Sequence, residues 1–379
     1  MIARVRRGWA GLLVPVVLAS VLVALGALAP GRAAAATPLL GKQVIGFSVR
    51  HRPIVAYHLG DPRRRPVLII GQIHGDEPAG VKLANSIVHG ARSVEGINLW
   101  VIPTMNPDGS VAHRRQNAHR VDLNRNWPDR WARLTGEYYS GRRPRSEPET
   151  RAMQAFLLRL RPRYVVVLHQ PLYGVDTTDG GALDKAFRNR LARNLGLPRK
   201  PFRCWSICHG SLTGWYTTHR YGIAITIEFG WHPRTAYLTG KARRAIVAAL
   251  GGHFGSLAAH DPQGAVTGTA KDGTVQLRGF AYDVDARGTS LRYVATRDGA
   301  VVGRGTANRP SADVNARYRL SGAHRLALDV PAAPGQHRFC LTFTNLGAGR
   351  GNAARCVTVT VPPATPTPTG SAPGVPSTP

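Results

Sequence analysis

Val67-Leu68-Ile69-Ile70-Gly71-Gln72-Ile73-His74-Gly75-Asp76-Glu77 places an imidazole and a carboxylate three positions apart, just after a continuous apolar run. A short apolar run closed by glycine reads as a buried strand, so both polar groups are delivered to that strand's end. Histidine nitrogen and glutamate oxygen suit zinc, and a hydrolytic zinc site takes three protein ligands and leaves one position open. In isolation, His and Glu in a Gly/Pro-rich turn are more often simply solvated loop residues. The rest of the chain decides between these readings, and a third ligand is expected far downstream.

Around this stretch, strands and helices alternate from about Thr37 to His260. Pro53–Leu59, Val67–Gln72 and Ile97–Ile102 read as strands, and Pro78–His89 as a helix opened by proline. Ser146–Arg161 reads as a helix capped by Ser146, with Glu149 completing a capping box. Tyr164–Leu168 and Ile223–Ile227 are β-branched strand runs, and Thr235–Ala259 carries a long helical pattern. Such alternation predicts an α/β layer fold with a parallel or mixed sheet, whose ligands gather at strand carboxyl ends.

Beyond a linker at Asp261–Gly264 the composition changes to Gly, Thr, Val and Ala with period-two alternation. Val275–Tyr282, Ser290–Thr296, Arg325–Val330, His337–Thr344 and Cys356–Val361 read as strands of a small β-sandwich. The domain plan is therefore an export signal at 1–36, an α/β domain at 37–260, a sandwich at 265–362 and a disordered Pro/Thr-rich tail at 363–379. The signal reading rests on Arg4, Arg6 and Arg7 ahead of the apolar run Ala10–Ala29, with Ala34-Ala35-Ala36 as a small-residue cleavage site. An uncleaved anchor is the alternative, because that run approaches the roughly 20 residues that span a bilayer.

The formal net charge of the 379-residue chain is +29, and removing residues 1–36 takes away four arginines and no acid, leaving +25. A field of that sign attracts anions at long range, and for an exported chain these are wall polymers, anionic lipid surfaces or acidic peptides. The arginines are scattered and no aromatic-basic motif accompanies them, so nucleic acid is not expected as a partner. The four cysteines, Cys204, Cys208, Cys340 and Cys356, allow three pairings. Local bridges, Cys204–Cys208 and Cys340–Cys356, keep each bond inside one domain and suit an oxidising compartment. A cysteine metal site is the other option.

For the third ligand, His169 closes the run Tyr164–Leu168 at a strand end. Hydrolysis also needs a base to accept a proton from water. Glu228 ends the apolar run Ile223–Ile227, where a carboxylate is costly to bury without a partner.

Three further blocks bear on the choice: Asn106-Pro107-Asp108-Gly109, Arg114-Arg115-Gln116-Asn117 and Asp122-Leu123-Asn124-Arg125-Asn126-Trp127. With His74-Gly75-Asp76-Glu77 upstream, this set resembles the zinc metallocarboxypeptidases of the carboxypeptidase A-like family, over roughly Pro66 to Glu228. The resemblance implies a three-layer α/β/α mixed-sheet domain with one zinc per chain on His74, Glu77 and His169. Glu228 matches the catalytic glutamate and Arg115 the arginine that stabilises the oxyanion, with Arg114 the competing choice. Asn124 and Arg125 match the pair that clamps a terminal carboxylate, and Asp122 the acid behind the first zinc histidine. A planar guanidinium grips a carboxylate through two parallel hydrogen bonds.

Within the family the likeness is to small bacterial members of the murein peptide amidase type, which cut between γ-D-glutamate and meso-diaminopimelate. The expectation is a secreted or wall-associated monomer acting on peptides or muropeptides. The alternatives are a general carboxypeptidase on peptide C-termini and a non-catalytic wall-binding protein. The family's catalytic phenol does not align, and Tyr173, Tyr216 and Tyr221 compete for it.

Overall fold

The computed structural model describes residues 38–176, 181–202 and 208–363. The 1–36 signal, Cys204 with its proposed bridge, and residues 364–379 of the tail lie outside them. Among the described residues no helix is long and apolar enough to cross a membrane.

Ten strands belong to the α/β part: β1 (Gly41–Phe47), β2 (Pro53–Gly60), β3 (Pro66–Ile70), β4 (Val94–Glu95), β5 (Asn98–Ile102), β6 (Tyr164–His169), β7 (Gly174–Asp176), β8 (Arg199–Lys200), β9 (Ile223–Glu228) and β10 (His253–Phe254). Eight of them form one sheet in the order β1-β2-β5-β3-β6-β9-β7-β8. The centre, β5-β3-β6-β9, is parallel, while β1, β2 and β7 pair antiparallel with their inner neighbours. The helices are α1 (Pro78–Val88), α2 (Pro107–Val111), α3 (Pro148–Leu160), α4 (Ala182–Leu195), α5 (Leu212–Thr218) and α6 (Arg243–Ala249).

Period two along the central strands sorts their side chains into two layers. Val67, Ile69, Val166 and Leu168 pack against Leu83 and Ile87 of α1, Phe187 and Leu191 of α4 and Ile246 of α6. Leu68, Ile70, Val165 and Val167 pack on the other face against Met153 and Phe156 of α3 and Leu212 and Trp215 of α5. The result is the three-layer α/β/α arrangement with a mixed sheet. Each fully buried aliphatic side chain contributes about 1.5–3 kcal/mol, so Leu68, with no exposed surface, is a residue whose truncation to alanine costs ~2–5 kcal/mol.

Several expectations need correction. Ser146 does not cap α3: the N-cap is Glu147, Pro148 opens the helix, and the Ser146 hydroxyl donates to Glu147 Oε1. Glu149 is instead drawn inward, where it accepts from Val49 N and from Asn117. The helical pattern at Thr235–Ala259 is realised as a π-helical segment at Tyr237–Ala242 continued by α6, then interrupted where Gly251-Gly252 leads into β10, with a separate 3-10 turn at Leu257–His260. A side chain at Gly252 would strike Ile97 at 2.7 Å. The linker is shorter than Asp261–Gly264, since the next strand starts at Gln263.

The carboxy-terminal part holds β11 (Gln263–Lys271), β12 (Thr274–Tyr282), β13 (Arg292–Arg297), β14 (Ala300–Thr306), β15 (Arg325–Pro331), β16 (Gly335–Phe343) and β17 (Ala353–Val361), with α7 (Ala312–Tyr318). Sheets β11-β12-β15 and β14-β13-β16-β17 are antiparallel and enclose a core that includes Leu277, Tyr293, Phe339 and Phe343. Cys340 and Cys356 face each other in register and are bonded. At the junction of the two parts, His260 bonds Asp285 at 2.9 Å and lies 4.0 Å from Glu95 of β4.

Candidate active site

The cavity forms where β3, β6 and β9 end. After β3, Gly71 N still donates to Ile102 O, and the chain then turns at Gly75 against the backbone of Gly109. A Cβ at Gly75 would lie 2.0 Å from Gly109 carbon, so only glycine fits there. Gln72 Nε2 donates to the carbonyls of Gly75 and Glu77 and holds the turn. Glu77 is the N-cap of α1 but makes no side-chain cap, because Pro78 removes one orphan N–H. Its carboxylate therefore points to the histidines. His169 closes β6, directly opposite Glu228 at the end of β9.

His74 Nδ1 lies 2.7 Å from Glu77 Oε1, and His169 Nδ1 lies 2.8 Å from Glu77 Oε2. The two Nδ1 atoms are 3.2 Å apart, and one ligand atom from each of the three residues falls within 4.8 Å of the others. All three side chains are buried. Two imidazoles and one carboxylate converging on a point are a donor set that fits zinc with an open fourth position. Facing imidazole nitrogens at this distance need a cation or proton between them.

The neighbouring groups orient this trio. Asp122 has no exposed surface; its Oδ1 sits 3.2 Å from His74 Nε2, and its Oδ2 accepts from Arg115 Nε at 3.0 Å and Nη2 at 2.8 Å. A carboxylate behind a ligand histidine sets its tautomer and ring angle. The other histidine lacks such a partner among the described residues, where His169 Nε2 is buried without a hydrogen bond. Asn106 serves as scaffold: its Nδ2 donates to the carbonyls of Ile73 and Arg115 while its Oδ1 accepts from Gly109 N. The Asn-Pro-Asp-Gly block thus ties the His74 turn to the Arg115 loop.

Burial, fixed cations and fixed anions set the charge states. Burial opposes charge on His74, but Glu77 and Asp122 overcome it and raise its pKa to about 9. Burial likewise opposes ionisation of Glu77 and Asp122, yet the two histidines hold Glu77, and His74 with Arg115 hold Asp122, well below the usual carboxylate range. Glu228 behaves differently. Burial raises its pKa, with Glu77 adding to the rise and His169 opposing it. Its Oε2 accepts from Leu172 N at 3.3 Å.

Arg125 is 6% exposed, and burial lowers its pKa. Its Nη1 donates to Asn124 O at 2.8 Å and its Nε has no partner among the described residues. The nearby acid Asp122 is taken by Arg115 and His74, and no carboxylate pairs with Arg125 among the described residues. The side-chain Oδ1 of Asn124 accepts from Leu212 N at 3.0 Å. These residues, with Arg115, Glu228 and the trio, line a cavity of about 660 Å³. Arg115 rather than Arg114 reaches it.

None of the three candidate tyrosines lines this cavity. Tyr216 is buried with its hydroxyl donating to Pro162 O, Tyr221 stacks on His219, and Tyr173 is half exposed. Tyr138 lines it instead, with the guanidinium carbons of Arg115 and Arg125 at 5.1 Å and 5.5 Å from its ring centroid. Sequence reading missed this residue, since it sits in a single 3-10 turn, Gly136–Tyr138, with no motif of its own.

Residues 32–172 match the family model described as zinc carboxypeptidase. That match takes in His74, Glu77 and His169 and stops before Glu228. Murein peptide amidase A of Escherichia coli (strain K12) is 28% identical over 224 residues, which are 52% of this chain and 92% of that protein. Carboxypeptidase SOL1 of Arabidopsis thaliana is 32% identical over 147 residues, which are 34% of this chain but only 28% of that protein. The crystal structure of murein-tripeptide amidase MpaA from Escherichia coli O157 is similar at 25% identity and a TM-score of 0.45, covering 55% of this chain and 91% of that one. Over residues 32–172 the α/β part thus matches a zinc carboxypeptidase domain, and it is there that the chain is similar to that family.

Proposed function

We propose that the protein is an exported zinc-dependent peptidase that hydrolyses the amide bond before a terminal residue bearing a free carboxylate, with cell-wall muropeptides as its substrates. One observation carries the reading: a buried guanidinium without an anionic partner among the described residues, Arg125, shares a cavity with a His-Glu-His cluster and a buried carboxyl, Glu228. A desolvated cation gains most from a ligand carboxylate.

The residues divide the chemistry. Arg125 and the Asn124 amide nitrogen bind the terminal carboxylate and so orient the scissile bond. Zinc held by His74, Glu77 and His169 would supply Lewis acidity to water and to the scissile carbonyl. Glu228, whose raised pKa brings it nearer to working pH, accepts the proton of the attacking water and returns it to the leaving nitrogen. Arg115 donates to the oxygen on which negative charge develops, and Asp122 keeps both Arg115 and His74 in place.

A wall substrate is supported by the names of the bacterial relatives, by the apolar segment after Arg4, Arg6 and Arg7, and by the strongly basic chain, which suits anionic wall polymers. The name of the plant relative supports the second reading, a carboxypeptidase on ordinary peptide C-termini. A single digestion separates them: the zinc-loaded enzyme is offered muropeptides and peptides with varied C-termini, and products are identified by mass. Release of diaminopimelate-containing fragments is the expected result, and stepwise trimming of ordinary peptides would transfer the assignment to the second reading. About one zinc per chain by metal analysis is expected alongside.

A further inference from the structure

Arg115 and Arg125 are two like charges in one cavity, and each lowers the other's tendency to stay charged where it is. Arg115 is compensated by Asp122 through two hydrogen bonds. Among the described residues Arg125 has no such partner, and its one hydrogen bond there runs to the backbone carbonyl of Asn124. What faces Arg125 is the ring of Tyr138, which also faces Arg115. The turn that carries Tyr138 is held through its backbone. Gln116 Nε2 donates to Gly136 O at 2.8 Å, Tyr139 N donates to Gly136 O, and Asp122 N donates to Tyr139 O at 2.8 Å. The turn carrying Tyr138 is thus bonded to the same segment that carries Arg115 and Asp122.

We propose that Tyr138 is the positioning residue for both arginines, its ring face standing in for a counter-ion that Arg125 does not have. A carboxylate in this place would occupy the N–H donors that a substrate carboxylate must use. An aromatic face attracts a guanidinium through its quadrupole and leaves the in-plane donors unused. The device keeps Arg125 folded into the cavity, charged and ready to bind, and separates it from Arg115, so that one serves the terminal carboxylate and the other the oxyanion. This rests on the roles given to Arg115 and Arg125 above.

The test compares zinc-loaded wild type with Tyr138→Phe and Tyr138→Leu on an acetylated tripeptide with a free C-terminal carboxylate and on the same tripeptide as its C-terminal amide. Binding is measured by calorimetry in a Glu228→Gln background, and kcat and KM are measured with Glu228 present. Tyr138→Phe keeps the ring and should preserve the preference for carboxylate over amide within about twofold. Tyr138→Leu should weaken binding of the carboxylate peptide by about tenfold, an effect of the size of a desolvated cation–aromatic contact, and leave the amide peptide unchanged. In turnover, Tyr138→Leu should raise KM through Arg125 and lower kcat through Arg115.

A Tyr138→Leu protein that keeps the full preference for carboxylate would overturn the proposal. So would a Tyr138→Phe protein as impaired as Tyr138→Leu, because the hydroxyl would then be the working group. If wild type binds the carboxylate peptide selectively yet hydrolyses nothing, the catalytic reading fails and the calorimetry still decides the role of Tyr138. If wild type binds both peptides equally, the receptor role of Arg125 and with it that of Tyr138 is rejected.

Discussion

The α/β part and the carboxy-terminal sandwich both bury polar side chains, but they use them differently. In the sandwich, Asp283 accepts from the backbone of Asp285 and Leu346, and His324 Nε2 faces the carbonyls of Arg287 and Ser321. These groups close turns, and backbone partners absorb their polarity. At the ends of β3, β6 and β9, by contrast, His74, Glu77, His169, Asp122 and Arg115 bind one another, while Arg125 and Glu228 face a cavity. Burying charge against charge is a weak route to stability. Its concentration at these strand ends, where the buried acid Asp283 of the sandwich is instead met by backbone N–H groups, marks where the fold serves chemistry.

Removing one group at a time sharpens this contrast. Glu228→Gln should lower kcat by a factor on the order of 10²–10⁴, the range for a general acid–base group, while zinc content and melting temperature hold; full activity in that variant would sink the mechanism. Asp122→Ala strands both Arg115 and His74. It should cost about 3–5 kcal/mol of folding stability in denaturant titration and roughly 10–100-fold in zinc affinity. Unchanged zinc affinity would mean that Asp122 does not support a ligand. In the sandwich, replacing Cys340 and Cys356 with serine should cost about 2–4 kcal/mol, since the bridge closes a loop of moderate length, and should leave peptide turnover untouched. A parallel loss of turnover would show that the two parts are coupled.

The smallest effects are those of pH. Because burial raises the pKa of Glu228, the acid limb of kcat/KM should lie above the ordinary glutamate value of about 4.3. A limb at or below that value would contradict the burial argument. Asp108 is the opposite case. Burial opposes its charge, but Arg50 N, Arg52 and Ser48 outweigh it and lower its pKa. Its stabilising contribution is present above the unfolded value of about 3.9 and is lost as pH falls through the lower folded value, so Arg52→Gln should flatten the acid end of the stability profile.

Much of the architecture was readable because the central strands are uniform. A run such as Tyr164–Leu168 is apolar on both faces only if helices cover both sides, and the structure covers them with α1, α4 and α6 on one side and α3 and α5 on the other. Less regular elements were not readable. Strand β1 is mostly exposed and carries no alternation, and α4 mixes its apolar positions with arginines and asparagines. At α3, Ser146-Glu147-Pro148-Glu149 satisfied a local capping rule, but long-range demand from Val49 and Asn117 drew Glu149 away.

The sequence by itself determined the alternation of elements, the sandwich from about residue 265 and the identity of the polar residues that strand ends carry, because periodicity and spacing are local and the chain displays them directly. Only the tertiary structure decided that His169 meets Glu77 across 92 positions, that Arg115 rather than Arg114 enters the cavity, and that Tyr138 stands over two arginines. Those relations depend on which strands become neighbours and on how loops without a period fold back over them. They come into being only when the sheet assembles and buries its charges together.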